Sequence, residues 1–297
     1  MRFRLKSAAK VNLTLDILGR RADGYHELAS VVHTVGIWDE LELDIHDGGE
    51  ISFTCNRTEL AGDENLCVRA VQTWNKATGA NFGARIHLQK RIPTGAGLGG
   101  GSGNAAAMLL ALNRASASPL SGAQLHEIGA TLGADVPLFL EGGAVLMEGI
   151  GEKLTPLEPL AGYLFVIKPE ASFATPSIYR AWDASGFRSQ NATPQLLEIW
   201  NRGDLSEIAG RMGNDLERAT AQFSDLPARL IHLLRQCEPL GAQMSGSGSA
   251  CFSVYEEPFQ VHEICKALET ALAKDVQLRS SQLFVAPFCE RGVEFLD

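Results

Sequence analysis

The 297-residue chain contains no Cys-x-x-Cys pair. Its six cysteines, Cys55, Cys67, Cys237, Cys251, Cys265 and Cys289, are scattered, and no histidine completes a zinc-finger spacing. A zinc-finger module is therefore excluded, and reduced, mostly structural thiols are expected. Cationic excess is missing as well, since 26 Lys plus Arg stand against 35 Asp plus Glu, a net charge of -9. That balance argues against a broad nucleic-acid or anionic-membrane surface, and a polyanionic small ligand would need a local basic site. Nor is there a run of about 18 uncharged apolar residues, the minimum for a spanning helix. Near the amino terminus Lys10 and Asp16 interrupt every apolar stretch long enough for a signal-peptide core, so a soluble cytoplasmic protein is expected. Internal repeats and low-complexity tracts are absent too.

The composition that is present is globular. Hydrophobic residues at 45% against 21% charged allow a real core, and domains of about 100 to 200 residues make two the natural division of this length. Val11, Leu13, Leu15 and Ile17 alternate with Asn12, Thr14, Asp16 and Leu18, which predicts a strand with one buried face and puts Asn12 on the other. Further half-exposed, largely antiparallel strands are predicted over 40–45, 51–55 and 85–92, with helices over 65–77, 104–113 and 124–132. A Pro-containing stretch after Leu154 places a boundary near 155, giving units 1–155 and 156–297. The second unit reads as helices over 193–201, 205–212, 228–236 and 258–273 with strands over 163–167, 250–255 and 282–287. Without a regular parallel βαβ repeat, two α+β domains are expected.

The densest signal is Pro93-Thr94-Gly95-Ala96-Gly97-Leu98-Gly99-Gly100-Gly101-Ser102-Gly103-Asn104, six glycines followed by an apolar helix. Glycine lets backbone N–H groups approach a phosphate, and the following helix adds its unpaired N–H groups and positive dipole end. The bland alternative is a flexible strand-to-helix turn. Gly95, Gly97 and Gly100 satisfy G-x-G-x-x-G, but the preceding RIHLQKRI alternates and lies in mid-chain, unlike the strand that opens a dinucleotide fold. A Walker A loop fails because no Gly-Lys dipeptide exists.

The stretch PTGAGLGGGSGNAAA resembles the central glycine motif of the GHMP small-molecule kinases. AKVNLTLDILGRRADGYHEL near the start and LGADVPLFL at 132–140 resemble the isoprenoid-pathway branch of that family, and MSGSGSACFSVY at 244–255 resembles its third motif. The resemblance implies an N-terminal domain like ribosomal protein S5 domain 2 and a ferredoxin-like C-terminal domain, with the active site between them. It also implies transfer of the ATP γ-phosphoryl group, with Mg2+, to a hydroxyl of a cytidine diphosphate-linked methylerythritol, giving the 2-phosphate and ADP. No nucleic acid or membrane partner is implied, and either a monomer or a homodimer fits.

Residue by residue, Asp135 matches the family's catalytic aspartate and Lys10 the lysine paired with it. On residues alone Asp135 fits a helix N-cap equally well, and a lone Lys beside a strand is usually solvated. Tyr25 and His26 match the cytidine-recognising segment, aromatic face and imidazole together, the alternative being a loop His and a partly buried Tyr. Thr175 and Tyr179 align with further substrate contacts, Tyr179 with an aromatic on the other face of the cytosine. Asn12 is a candidate hydroxyl ligand on the Lys10 face of the strand. Asn65 and Leu66, with Lys90, match the adenine pocket, although Asn65 also reads as an ordinary N-cap. Ser245, Gly246 and Gly248 form a second small-residue turn, beside the glycine loop and substrate phosphates in the family and a plain tight turn otherwise.

Two departures stand out. The family loop commonly reads P-x-G-G-G-L-G-G-G-S-S-N, whereas this chain has Ala96 and Gly103. Ala96 requires a negative φ, and the hydroxyl missing at 103 removes one possible phosphate or magnesium contact. A GHMP kinase with another acceptor, a noncatalytic nucleotide-binding protein and a dinucleotide-dependent oxidoreductase are the competing readings. Tyr25 and His26 weigh against the first, Lys10 with Asp135 against the second, and the loop context against the third.

Overall fold

Residues 7–17 are buried at every position, so the strand predicted to have one wet face has none. The computed structural model describes residues 1–296, and the side chains of all of these except 259–263, 265 and 267. In chain order the first half gives β1 (Arg2–Asn12), β2 (Thr14–Arg20), β3 (His26–Asp47), β4 (Ile51–Cys55), α1 (Leu66–Thr78), β5 (Phe82–Gln89), α2 (Gly100–Ala115), α3 (Gly122–Leu132), α4 (Val136–Glu141), β6 (Ala144–Gly149) and β7 (Lys153–Leu157). The second half gives β8 (Tyr163–Lys168), α5 (Thr175–Ser185), α6 (Ala192–Trp200), α7 (Leu205–Ala209), β9 (Gly213–Asn214), α8 (Leu216–Thr220), α9 (Leu226–Arg235), β10 (Gly241–Met244), β11 (Cys251–Tyr255), α10 (Pro258–Ala273), β12 (Gln282–Pro287) and β13 (Val293–Phe295).

A nine-stranded sheet is built around β3, which pairs antiparallel with β1, β2, β5 and β6 along its 22 residues. A four-stranded antiparallel sheet, in the order β10-β11-β8-β12, forms in the second half. The last strand, β13, returns to pair with β1. The fold is α+β.

Successive odd residues of β1 and β2 enter different cores. Leu5 joins the layer of α1, α2 and α3 on the large sheet, Val11 and Leu13 join a cluster shared with Val166 and Phe252 of the small sheet, and Leu15 and Ile17 pack with Trp182 and Leu230. The even residues Lys10, Asn12, Thr14 and Asp16 are polar and still buried. Asp16 accepts from the Ala192 and Thr193 N–H groups at 3.0 and 2.7 Å, so its carboxylate satisfies the start of α6. Thr193 donates to Thr14 at 2.8 Å. Strand β1 thus runs between the two halves, where the site assembles.

Candidate active site

Strand β5 leads into the glycine loop and the loop into α2. Gly95, Gly97 and Gly99 take φ of +60, +77 and +69°, the left-handed region that glycine enters freely. Ala96 stands outside that set, buried, and its carbonyl accepts from the Ala250 N–H at 3.2 Å. At Gly97 a Cβ would fall 2.1 Å from the Ser245 carbonyl, so the loop lies directly on the 245–249 turn. The N-cap of α2 is Gly99, which brings no side chain to the helix start, and the first N–H groups of a helix lack partners within it and suit an anion.

A cavity of about 490 Å³ opens over this loop, lined by residues 93–102 together with Asn65, Leu66, Lys90 and Asn104. Asn65 is also the N-cap of α1, accepting from the Cys67 N–H at 2.9 Å. Gly103 departs from expectation. It is absent from the cavity lining, and a Cβ there would face the Ala8 carbonyl at 3.0 Å and Phe139 at 3.4 Å. A side chain at 103 points into β1, away from the cavity, because the first turn of α2 packs that face on the sheet.

Lys10 Nζ lies 3.6 Å from Asp135 Oδ2. It also donates to Asn12 Oδ1 at 2.7 Å, while Asn12 Nδ2 donates to Ser30 at 2.9 Å. Both ends of the Asn12 amide are therefore engaged inside the protein, on the face of β1 opposite Leu13. Asp135 occupies the N-cap position of α4 but makes no capping bond with its side chain. Gly99 approaches Lys10 so closely that a Cβ would meet Cγ at 3.0 Å, and the Lys10 N–H donates to the Leu98 carbonyl at 3.0 Å. The ion pair thus touches the glycine loop. Ser245 donates to the Gly97 carbonyl at 3.0 Å; with Gly246 and Gly248 it packs on the loop and is absent from the lining of the cavity over it.

A second cavity, about 380 Å³, is lined by Tyr25, His26, Thr175, Tyr179, Arg20 and Asp183 among others. Tyr25 is 63% exposed. His26 Nε2 lies 2.7 Å from Asp183 Oδ1, and Tyr179 stacks on the imidazole with centroids 4.9 Å apart. Tyr179 therefore backs His26 directly. Burial raises the Tyr179 hydroxyl above its ordinary pKa, and the Asp135 charge adds to the rise, so this cavity lies within electrostatic reach of the ion pair. Thr175 shares a hydrogen bond with Ser247 at 2.8 Å.

Comparison with known proteins gives this geometry a family. Residues 65–143 match the family model described as GHMP kinases N terminal domain, and residues 194–274 match GHMP kinases C terminal. A 4-diphosphocytidyl-2-C-methyl-D-erythritol kinase of Caldanaerobacter subterraneus subsp. tengcongensis is 40% identical, over 86% of this chain and 89% of its own. The chain belongs to the GHMP kinase family. This GHMP kinase is also 32% identical to the like-named protein of Thermoanaerobacter pseudethanolicus, over 100% of this chain and 99% of that one. Among solved structures, 4-(cytidine 5'-diphospho)-2C-methyl-D-erythritol kinase matches with a TM-score of 0.79 at 33% identity, covering 97% of this chain and 100% of the other. Homoserine kinase from Cytophaga hutchinsonii has the same TM-score at 18% identity, a likeness of fold.

Two residues of this small-molecule kinase escaped the sequence reading. Asp39, fully buried, accepts from the Arg91 and Ile92 N–H groups at 2.7 and 2.8 Å, from Asn104 at 2.9 Å and from Lys90 Nζ. It ties β3 to the root of the glycine loop and to α2. The signal was an acid among Ile37, Leu41, Leu43 and Ile45, on the inward face of an alternating strand. Asp183 carried a weaker signal, four and eight residues beyond Tyr179 and Thr175 on one helical face.

Proposed function

We propose that this kinase transfers the γ-phosphoryl group of ATP to a hydroxyl of 4-diphosphocytidyl-2-C-methyl-D-erythritol, giving the 2-phosphate and ADP, as a step toward isoprenoid precursors. The observation that carries this reading is the position of the Lys10–Asp135 pair, in contact with the glycine loop and with Asp135 in electrostatic reach of Tyr179, which lines the His26 cavity. The names of the relatives point to the same acceptor.

The cradle suits a nucleotide. Three left-handed glycines shape the loop that lines the cavity, at a helix start whose N-cap is Gly99, and Asn65, Leu66 and Lys90 line its wall for the base. Mg2+ would come with the phosphates, and Ser102 and Asp135 are the residues that would lie beside it. When bound it neutralises phosphate charge. Asp135 would orient the acceptor hydroxyl and accept its proton as the oxygen attacks. Lys10, fixed by Asn12, pairs with Asp135 and offsets charge on the reacting oxygens. Tyr25 offers a face to the cytosine and His26 its edge.

The experiment is ADP release with Mg2+ and ATP, measured with and without the cytidine diphosphate-linked methylerythritol. Release that depends on this alcohol is expected. A folded, ATP-binding protein that releases none with it, but does with another alcohol, would redirect the acceptor assignment within the family.

A further inference from the structure

His26 is held from two directions. Tyr179 covers one face of the ring, with planes 28° apart, and Asp183 Oδ1 meets Nε2 at 2.7 Å. Asp183 is itself anchored 3.7 Å from the Arg20 guanidinium, and the His26 side chain is only 10% exposed. A carboxylate accepts hydrogen bonds and donates none, so Nε2 carries the proton. Among the described residues Nδ1 has no hydrogen-bond partner, and the ring lines the cavity beside the exposed Tyr25. In a neutral imidazole with Nε2 protonated, Nδ1 is the acceptor.

We propose that Asp183 is a positioning residue that determines base specificity: by fixing the Nε2–H form of His26, it leaves Nδ1 to accept from the exocyclic amino group of cytosine. Uracil presents a carbonyl at that place, and two acceptors would then face each other without a proton. A buried polar group left unpaired rejects the wrong ligand more strongly than a missing contact does. This inference rests on the cytidine reading of the cavity given above.

Nitrogen NMR of the His26 ring in the free wild type, with binding of CDP and UDP to the wild type and to Asp183→Ala, tests it. The expected wild type has a neutral ring protonated at Nε2 and prefers CDP. In Asp183→Ala the ring populates both tautomers and the CDP-over-UDP preference shrinks about tenfold, the weight of one hydrogen bond, while the Kd for ATP is unchanged. A wild-type ring protonated at Nδ1, an unchanged preference in the variant, or no binding of CDP would each overturn the role. None of these readouts needs turnover, so a failure to release ADP with the cytidine-linked alcohol would count against the acceptor assignment and leave Asp183 to be decided by the ring and the two nucleotides.

Discussion

Lys10 and Asp135 form an ion pair of 3.6 Å in which the lysine is 6% exposed and the aspartate 30%. The asymmetry follows from their carriers. Strand β1 is covered on both faces, whereas Asp135 sits at the start of a short helix that opens on the cleft. Among the described residues the ammonium is held by Asn12 and the carboxylate, and the carboxylate keeps an accessible side.

Asp135→Asn is expected to lower kcat by about a hundredfold or more while the KM values of both substrates move only a few-fold, because it removes an interaction made chiefly in the transition state. Lys10→Met in the same assay should lower kcat too, and the double variant should lose much less than the product of the two, as for groups acting as a unit. Full turnover by Asp135→Asn would remove the residue from the reaction.

Asp39→Ala leaves Lys90 as an unpaired buried cation and frees the Arg91 and Ile92 N–H groups. Breaking such a pair costs about 3–5 kcal/mol. Urea unfolding should show that loss together with weaker ATP binding; a change under about 1 kcal/mol would mean that the network contributes little.

Along the glycine loop the response to a single methyl group should differ by position. Gly97→Ala puts a Cβ 2.1 Å from the Ser245 carbonyl at a φ of +77°, and at least about 2 kcal/mol of stability should be lost along with ATP affinity. Gly101→Ala meets only a Leu66 methyl at 3.5 Å and should bind ATP like the wild type. Gly103→Ser should leave ATP affinity no tighter, since its side chain would face the Ala8 carbonyl. Calorimetric titration of the three variants with ATP checks this order.

His33 accepts from the Leu160 N–H at 2.9 Å and donates to the Thr34 carbonyl at 2.9 Å, so it joins β3 to the connection between the two halves. Burial pushes its pKa down to about 4 from an ordinary 6.5. The folded value is the lower one, so the unfolded chain takes the extra proton as pH falls. Stability is whole above about pH 6.5 and declines by about 1.4 kcal/mol per pH unit below it, about 3 kcal/mol by pH 4. Urea midpoints at pH 7 and 4.5 should therefore differ less in His33→Gln than in the wild type. Equal differences would show that other groups carry the acid sensitivity.

Features set by short spacing were legible in the sequence. Asn65 could be placed at a helix start because capping needs only the next two residues, and α1 begins at Leu66. The helix predicted over 104–113 is the interior of α2, which starts four residues earlier, within the glycines, because packing against β1 and Phe139 outweighs their low propensity. The 22 residues of β3 were seen only as 40–45, since its first half lies against both neighbours and does not alternate.

Local chemistry by itself determined the glycine loop, the alternating strands and most helix positions, for these rest on neighbours a few residues apart. The tertiary structure alone decided that β1 is buried on both faces, that Gly103 faces the sheet, and that Lys10 meets Asp135 and His26 meets Asp183. Those pairs come from sheet register and from the docking of one half of the chain on the other, and no spacing along the chain encodes a distance across that junction.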